Sequence, residues 1–297
     1  MSVKIIQGDC RDCLPLLPVG SVHCCVTSPP YWGLRNYGVE GQIGLEETPE
    51  KYVRWLVKIF RQIHRVLRDD GTLWLNLGDK IRKKNLLGLP WRVALALQAD
   101  GWILRSDIIW HKSSHLPESV KDRPTRGHEY IFLLAKQRKY YYDIDATREP
   151  HKEQSLKRYK YKSHSALDPN ATESQQRRYA SFTNSDRTGD SMNMDGRNLR
   201  SVWTICPQGL KGAHFAVFPP KLIEPCILAG CPPGGVVLDP FAGAFTTALV
   251  AEKLDRDCIG IELNPEYCNL GRSRLEKKEK MVLLHEKPYP PVDLFLA

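Results

Sequence analysis

The 297-residue chain can bury one substantial core and a small appended module without disulfides or metals. Its 43 Lys and Arg against 34 Asp and Glu leave a formal charge of +9, which favours polyanionic partners without naming one. No apolar run of about 18 residues and no charged-then-apolar leader is present, so a cytoplasmic protein with no membrane contact is expected.

Lys4 to Gln7 and Val22 to Thr27 read as short buried strands joined by a turn or helix over Cys13 to Leu17. Thr48 can cap a helix and Pro49 suits its first position. Val53, Leu56, Phe60, Ile63 and Leu67 then recur at helical spacing toward Gly71. A strand over Thr72 to Leu77 and a helix over Pro90 to Gln98 continue a β-α alternation that predicts a doubly wound, mostly parallel sheet. Ser106 to His111 and Glu129 to Ala135 read as an antiparallel pair toward one sheet edge. Residues 148 to 200 are polar and lack apolar periodicity, as an inserted module would be. Order returns at Ser201 to Ile205, followed by a helix over Pro220 to Ala229, a strand over Val236 to Phe241, a helix over Thr246 to Leu254 and a strand over Cys258 to Glu262. The charged, Pro-rich tail after Arg274 carries little signal.

The nine cysteines are odd in number and sit mostly in apolar surroundings, which suits reduced thiols. Cys10-Arg11-Asp12-Cys13 is a CxxC without a second pair of ligands, so core or pocket-wall thiols are expected and no metal.

Two constellations carry chemistry. Asp239-Pro240-Phe241-Ala242-Gly243 closes a strand and leads directly into the helix that starts at Thr246 and Thr247, the turn where nucleoside cofactors sit in doubly wound sheets. About twenty residues on, Ile261-Glu262-Leu263-Asn264 ends a second strand with a carboxylate that can accept hydrogen bonds from ribose hydroxyls. The glycine spacing is not GxGxxG and no phosphate-binding lysine follows, which favours a nucleoside without pyrophosphate. An ordinary α/β turn with a solvated Glu262 remains the alternative. The second constellation is Thr27-Ser28-Pro29-Pro30-Tyr31-Trp32, directly after an apolar strand. Two prolines remove two N–H donors, so carbonyls and the Ser28 hydroxyl present acceptors beyond the strand end. Such acceptors can hold an amino group while Tyr31 offers a face to a base. A polyproline turn over buried aromatics is the bland alternative.

These residues resemble the amino-methyltransferases of DNA, whose catalytic signature is Asp, Asn or Ser, then Pro-Pro and an aromatic, here Ser28-Pro29-Pro30-Tyr31. The family's Phe-x-Gly cofactor turn matches Phe241-Ala242-Gly243, and its ribose-binding acid matches Glu262. The catalytic motif comes first and the cofactor motif last, an order similar to the β class, a circular permutation of a seven-stranded methyltransferase sheet. The resemblance covers nearly all of the chain outside residues 148 to 200. It implies residues 1–147 as the catalytic half, 148–200 as a target-recognition region, 201–275 as the cofactor half and 276–297 as a tail.

The resemblance also implies S-adenosyl-L-methionine as cofactor, with Asp9 and Cys10 near its adenine, and Phe215 and Phe218 in the stretch before the helix at Pro220. Asp239, Pro240, Phe241, Gly243, Thr246, Thr247, Glu262 and Asn264 complete the cofactor set. Asp79, Trp110 and His128-Glu129-Tyr130 match further family positions. Phe245 departs from the family, which often has glycine there, and is expected to narrow the cofactor turn.

Double-stranded DNA is the implied partner of a monomer or homodimer of bacterial, archaeal or phage origin, as in restriction-modification. Lys157, Arg158, Lys160, Arg177, Arg178, Arg197 and Arg200 supply cations from the polar region, and Trp32, Arg35, Asn36 and Tyr37 follow the catalytic motif. A solvated charged linker is the alternative for the polar region. Transfer would be direct, from the sulfonium to the amino nitrogen of a flipped base, with the proton leaving to solvent. Ser28 leans toward cytosine N4 and away from adenine N6 in this family. C5 methylation would need a Cys nucleophile, and Cys226 after Pro225 falls in a predicted helix. RNA or a protein amide as substrate, and an idle DNA-binding module, remain the competing readings.

Overall fold

The computed structural model describes residues 1–115, 117–157, 172–174, 195–209 and 217–277. The chain divides after Ala146 and before Arg200 into a large unit and a smaller one over Thr147–Leu199. Within the large unit, one sheet of eight strands runs in the order β1 (Val3–Gln7), β10 (Asp257–Glu262), β9 (Val236–Asp239), β2 (Val22–Thr27), β3 (Leu67–Leu77), β7 (His128–Ala135), β6 (Ile103–His111) and β8 (Val202–Thr204). The first five are mutually parallel. β7 is antiparallel to both β3 and β6, and β8 is parallel to β6. The expectation of seven strands is short by one, because β8 adds an edge strand through Ile109, Trp110 and His111. A two-strand hairpin, β4 (Ile81–Arg82) and β5 (Asn85–Leu86), was not anticipated.

One face of the sheet carries α1 (Cys10–Cys13), α2 (Pro49–Val66) and α3 (Leu89–Ala99) over a core that includes Cys25, Leu73, Leu75, Leu238 and Ile261. Thr48 caps α2 as expected, accepting from Lys51 N, and Tyr52, Leu56, Phe60 and Ile63 form its buried stripe. The helix stops at Val66 instead of approaching Gly71, and Leu67 begins β3 in extended backbone. The other face carries α4 (Pro220–Gly230), α5 (Thr246–Lys253) and α6 (Pro265–Glu276). Gly230 lets α4 approach the sheet: a Cβ there would lie 2.6 Å from Thr72 Oγ1 and 2.5 Å from Trp74 Nε1.

Phe245 corrects an expectation. It sits at φ +60° just before α5, a conformation non-glycine residues rarely adopt. Its ring turns away from the cofactor turn into the core, where a Cβ on Gly260 or Gly271 would lie 2.5 and 2.2 Å from it. The residue is fully buried and narrows nothing at the cleft. The missing side chains of Gly260 on β10 and Gly271 on α6 make the room that the ring fills.

Candidate active site

The two motifs leave adjacent parallel strands at their carboxyl ends. Cys24 and Cys25 of β2 pair with Val237 and Leu238 of β9, so Ser28 and Phe241 emerge side by side although they lie at opposite ends of the chain. Below them, Thr27 Oγ1 donates to Asp239 Oδ1 at 2.6 Å, Thr247 Oγ1 donates to Oδ2 at 2.6 Å, and Phe241 N donates to Oδ1 at 3.1 Å. Burial nevertheless pushes the Asp239 carboxyl up to about 6.

Above this linkage lies a cavity of about 810 Å³, inside the usual range for ligand sites. Ser28, Pro29, Pro30 and Tyr31 line one end; Pro240, Phe241, Gly243, Thr246, Glu262 and Asn264 line the other. Asp9, Cys10 and Phe218 also reach it. Asp239 and Thr247, expected to touch the cofactor, do not line it: their polar atoms are spent on each other and on Thr27, and both side chains are buried. Phe215 lies outside the described residues.

At the β9 and β10 end, Glu262 Oε2 accepts from Gly243 N and Oε1 from Asn264 N, each at 2.8 Å. A carboxylate has about four lone-pair sites, so two remain for hydroxyls. Burial raises its pKa even so, with the two N–H donors pulling the other way. Gly243, at φ +50°, has nothing but Phe241 O within 4 Å of the position a Cβ would take, so the turn leaves open space in front of the carboxylate. Gly8 N bonds Glu262 O at 2.9 Å, bringing the end of β1 to the same rim. Asp9 caps α1 through Arg11 N at 2.8 Å and is ion-paired with Arg11. A diol-accepting carboxylate, an open backbone turn and an apolar Phe241 fit an S-adenosyl nucleoside.

At the β2 end, the Tyr31 ring rests on Gly78, where a Cβ would come within 2.5 Å of Cε2. Its hydroxyl accepts from Ser28 Oγ at 3.2 Å and Asn76 Nδ2 at 2.8 Å and donates to Glu129 Oε2 at 2.7 Å. Asn76 also donates to Glu129 Oε2 at 3.0 Å, and Lys112 pairs with Oε1. Burial, reinforced by the Glu129 charge, holds the Tyr31 phenol well above its ordinary value. Tyr52 OH donates to Pro30 O at 2.9 Å and anchors the motif to α2. Asn76 and Lys112 carried no sequence signal, whereas Glu129 was noted only as a family position. Asp79 caps α3 through Gly88 N and Leu89 N, both at 3.0 Å.

The residues after the motif are distributed differently than expected. Trp32, expected at DNA, is 5 % exposed, donates to Glu46 O at 2.8 Å and belongs to the core, because the chain turns inward after Tyr31. Arg35 and Tyr37 line the cavity; Asn36 does not, and its Oδ1 accepts from Gly38 N. Tyr37 meets Tyr267 edge to face, with centroids 6.5 Å apart, so it stands at the Glu262 end and not at the catalytic motif. In the small unit, Arg197 is ion-paired with Glu149 at 2.8 Å beneath a two-residue β-bridge, so its charge already has a protein partner. Lys157 is exposed and pairs with Glu153; Arg200, in the large unit, precedes β8. Arg158, Lys160, Arg177 and Arg178 lie outside the described residues.

A permuted doubly wound sheet whose catalytic and cofactor turns share one cleft defines an amino-directed methyltransferase. The pattern of the DNA methylase family matches residues 22–273, and the chain belongs to that family. It is 44 % identical over 306 residues to the Type II methyltransferase M.SmaI of Serratia marcescens, covering 93 % of this chain and 92 % of that protein. It is 42 % identical to M.Cfr9I of Citrobacter freundii, covering 94 % and 89 %. Among solved structures, PvuII DNA methyltransferase, named as cytosine-N4-specific, superposes with a TM-score of 0.65 at 22 % identity over 92 % of this chain and 86 % of that one. A Thermus thermophilus protein solved with S-adenosyl-L-methionine gives 0.61 at 27 % identity, covering 96 % and 100 %. The protein is a β-class DNA amino-methyltransferase that uses S-adenosyl-L-methionine. Among the described residues, no helix is long and apolar enough to cross a membrane and no group of metal-ligating side chains assembles.

Proposed function

We propose that the enzyme methylates N4 of a cytosine flipped out of double-stranded DNA. The observation that carries the choice of base is Ser28 at the first position of the Pro-Pro-Tyr motif, lining the cavity with its hydroxyl hydrogen directed at Tyr31. That direction, with Asn76 Nδ2 donating to one Ser28 lone pair at 3.4 Å, leaves the other for an amino hydrogen. The Pro29 carbonyl, which has no N–H neighbour on the following residue, takes the second. Held by two acceptors, the amino nitrogen keeps its lone pair toward the methyl donor. Adenine N6 is the alternative target.

In this reading, Glu262 holds the ribose, Phe241 and Cys10 flank the nucleoside, and the backbone at Gly243 admits it closely. When bound, S-adenosyl-L-methionine supplies an electrophilic methyl on a sulfonium. The chain's own contribution is alignment of nitrogen and methyl in one cleft, which can supply much of the acceleration. Tyr31, its hydroxyl fixed by three partners, offers its ring to the flipped base. Residues 148–200 serve as the target-recognition region, with Lys157, Arg158, Lys160, Arg177 and Arg178 toward phosphates and Arg200 beside the β8 edge.

Labelled cofactor and unmodified genomic DNA, followed by mass spectrometry of the nucleosides, test this. N4-methyldeoxycytidine is expected. N6-methyldeoxyadenosine would overturn the choice of base, and label on RNA or protein alone would overturn the choice of substrate.

A further inference from the structure

The hydrogen bonds at the β2 end form a directed chain, and the direction has chemical meaning. Ser28 donates to Tyr31, and Tyr31 donates to Glu129. Asn76 Nδ2, donor only, reaches Ser28 Oγ at 3.4 Å, Tyr31 OH and Glu129. It cannot accept a proton, so it fixes the polarity of the chain without interrupting it. Lys112, which lines the cavity with Glu129, is ion-paired with Glu129 Oε1 at the end of the chain. The other charged or titratable groups on this wall are Asp79, Glu118, Arg126 and His128.

We propose that Ser28, Tyr31 and Glu129 form a proton relay that carries the amino proton of the base to the Glu129 carboxylate as the methyl group arrives. The inference rests on the reading of an amino-group substrate at Ser28. The nitrogen lone pair forms the new N–C bond, and the S–C bonding pair stays on sulfur. One N–H proton moves to Ser28 Oγ, the Ser28 hydroxyl proton moves to Tyr31 OH, and the Tyr31 proton moves to Glu129 Oε2, which ends as a carboxylic acid. The Tyr31 phenol, held well above its ordinary value, takes one proton as it gives one and never rests as phenolate. An exocyclic amine conjugated with its ring is a weak nucleophile, and removing its proton during attack keeps electron density on nitrogen. Proton transfer by a positioned group contributes roughly 10²-fold or more. Glu129 acts through Tyr31 and is a positioning and accepting residue, not one that touches the base.

The test uses single-turnover transfer from pre-bound cofactor to duplex DNA in mixtures of light and heavy water. The wild type should slow in heavy water with a bowed dependence on deuterium fraction, since several protons move together. Glu129→Gln and Tyr31→Phe should each lose roughly 10² in rate and the bow with it, and the double variant should be no slower than either. In cofactor-free protein, the ¹³Cζ NMR signal of Tyr31, identified by its loss in Tyr31→Phe, should move in Glu129→Gln; an unmoved signal would contradict the bond at the head of the relay. A wild-type rate in Glu129→Gln, a linear dependence in the wild type, or multiplicative losses in the double variant would overturn the relay while leaving the substrate reading intact. Absence of wild-type transfer to DNA would overturn both. If Glu129→Gln does not fold, Tyr31→Phe alone decides by the same rate and isotope criteria.

Discussion

Thr27 and Asp239, 212 residues apart in sequence, are joined by a buried 2.6 Å hydrogen bond directly beneath the cleft. Thr27 precedes the catalytic serine and Asp239 opens the cofactor turn, so this one bond sets the register between the two chemistries. Thr27→Val keeps the shape and leaves one carboxylate oxygen short of a donor. A loss of about 1–3 kcal/mol in unfolding free energy is expected, together with slower transfer at saturating cofactor. Thr27→Ser should recover most of both. Chemical denaturation and single-turnover rates check this pair.

Asp239 also predicts a pH dependence of stability. Unfolded, its carboxyl titrates near the ordinary 3.8; folded, burial lifts it to about 6 despite Thr247, Thr27 and the Phe241 N–H. The fold therefore binds a proton that the unfolded chain has released. This contribution is greatest below about pH 4 and is lost as pH rises through about 6, a difference on the order of 3 kcal/mol. Unfolding free energies of wild type and Asp239→Asn between pH 4 and 7 should diverge, the wild type losing its relative advantage as pH rises. Parallel profiles would contradict the assignment.

Gly78→Ala tests the seat of Tyr31. The added methyl would lie 2.5 Å from a ring whose hydroxyl is tied to Asn76 and Glu129, so the ring cannot simply swing aside. Overpacking of this kind costs about 1–3 kcal/mol, and here it displaces a residue of the motif. Methyl transfer should fall by roughly tenfold or more, while binding of S-adenosylhomocysteine, measured by calorimetry, should stay within about twofold.

Phe245→Gly should destabilise the protein without improving the cofactor site. The substitution relieves a left-handed backbone, worth about 1 kcal/mol. It also empties a fully buried volume against Gly260 and Gly271, which costs about 3–5 kcal/mol. A lower melting temperature with little change in cofactor affinity is expected. Tighter cofactor binding would mean that the ring does obstruct the turn.

Much of the sheet was readable in the sequence because its strands are apolar, short and bounded by turn residues: the limits of β2 agree residue for residue. The cofactor turn was readable too, since a strand, Pro-Phe-x-Gly and a helix start are local features. The end of α2 was not, because Leu67 continues the helical spacing of buried residues while its backbone turns extended. Helix α6 escaped notice for the opposite reason. Its buried positions are Cys268, Gly271 and Arg274, a face with no apolar stripe, and Arg274 donates to Ala244 O in the core; only the Asn264-Pro265 start marked it. Trp32 and Tyr31 are adjacent aromatics with opposite fates, decided by a turn that places one indole against Glu46. The link from Tyr31 to Glu129 spans 98 residues and exists only once β7 lies beside β3.

The most direct measurement compares Ser28→Ala with wild type in two quantities on the same preparation: the single-turnover methyl-transfer rate at saturating cofactor and the dissociation constant for S-adenosylhomocysteine. The expected result is a transfer rate lower by roughly 10²-fold or more with a dissociation constant within about twofold. Equal losses in both quantities, or an unchanged transfer rate, would contradict a cleft in which Ser28 holds the amino group while the opposite end holds the cofactor.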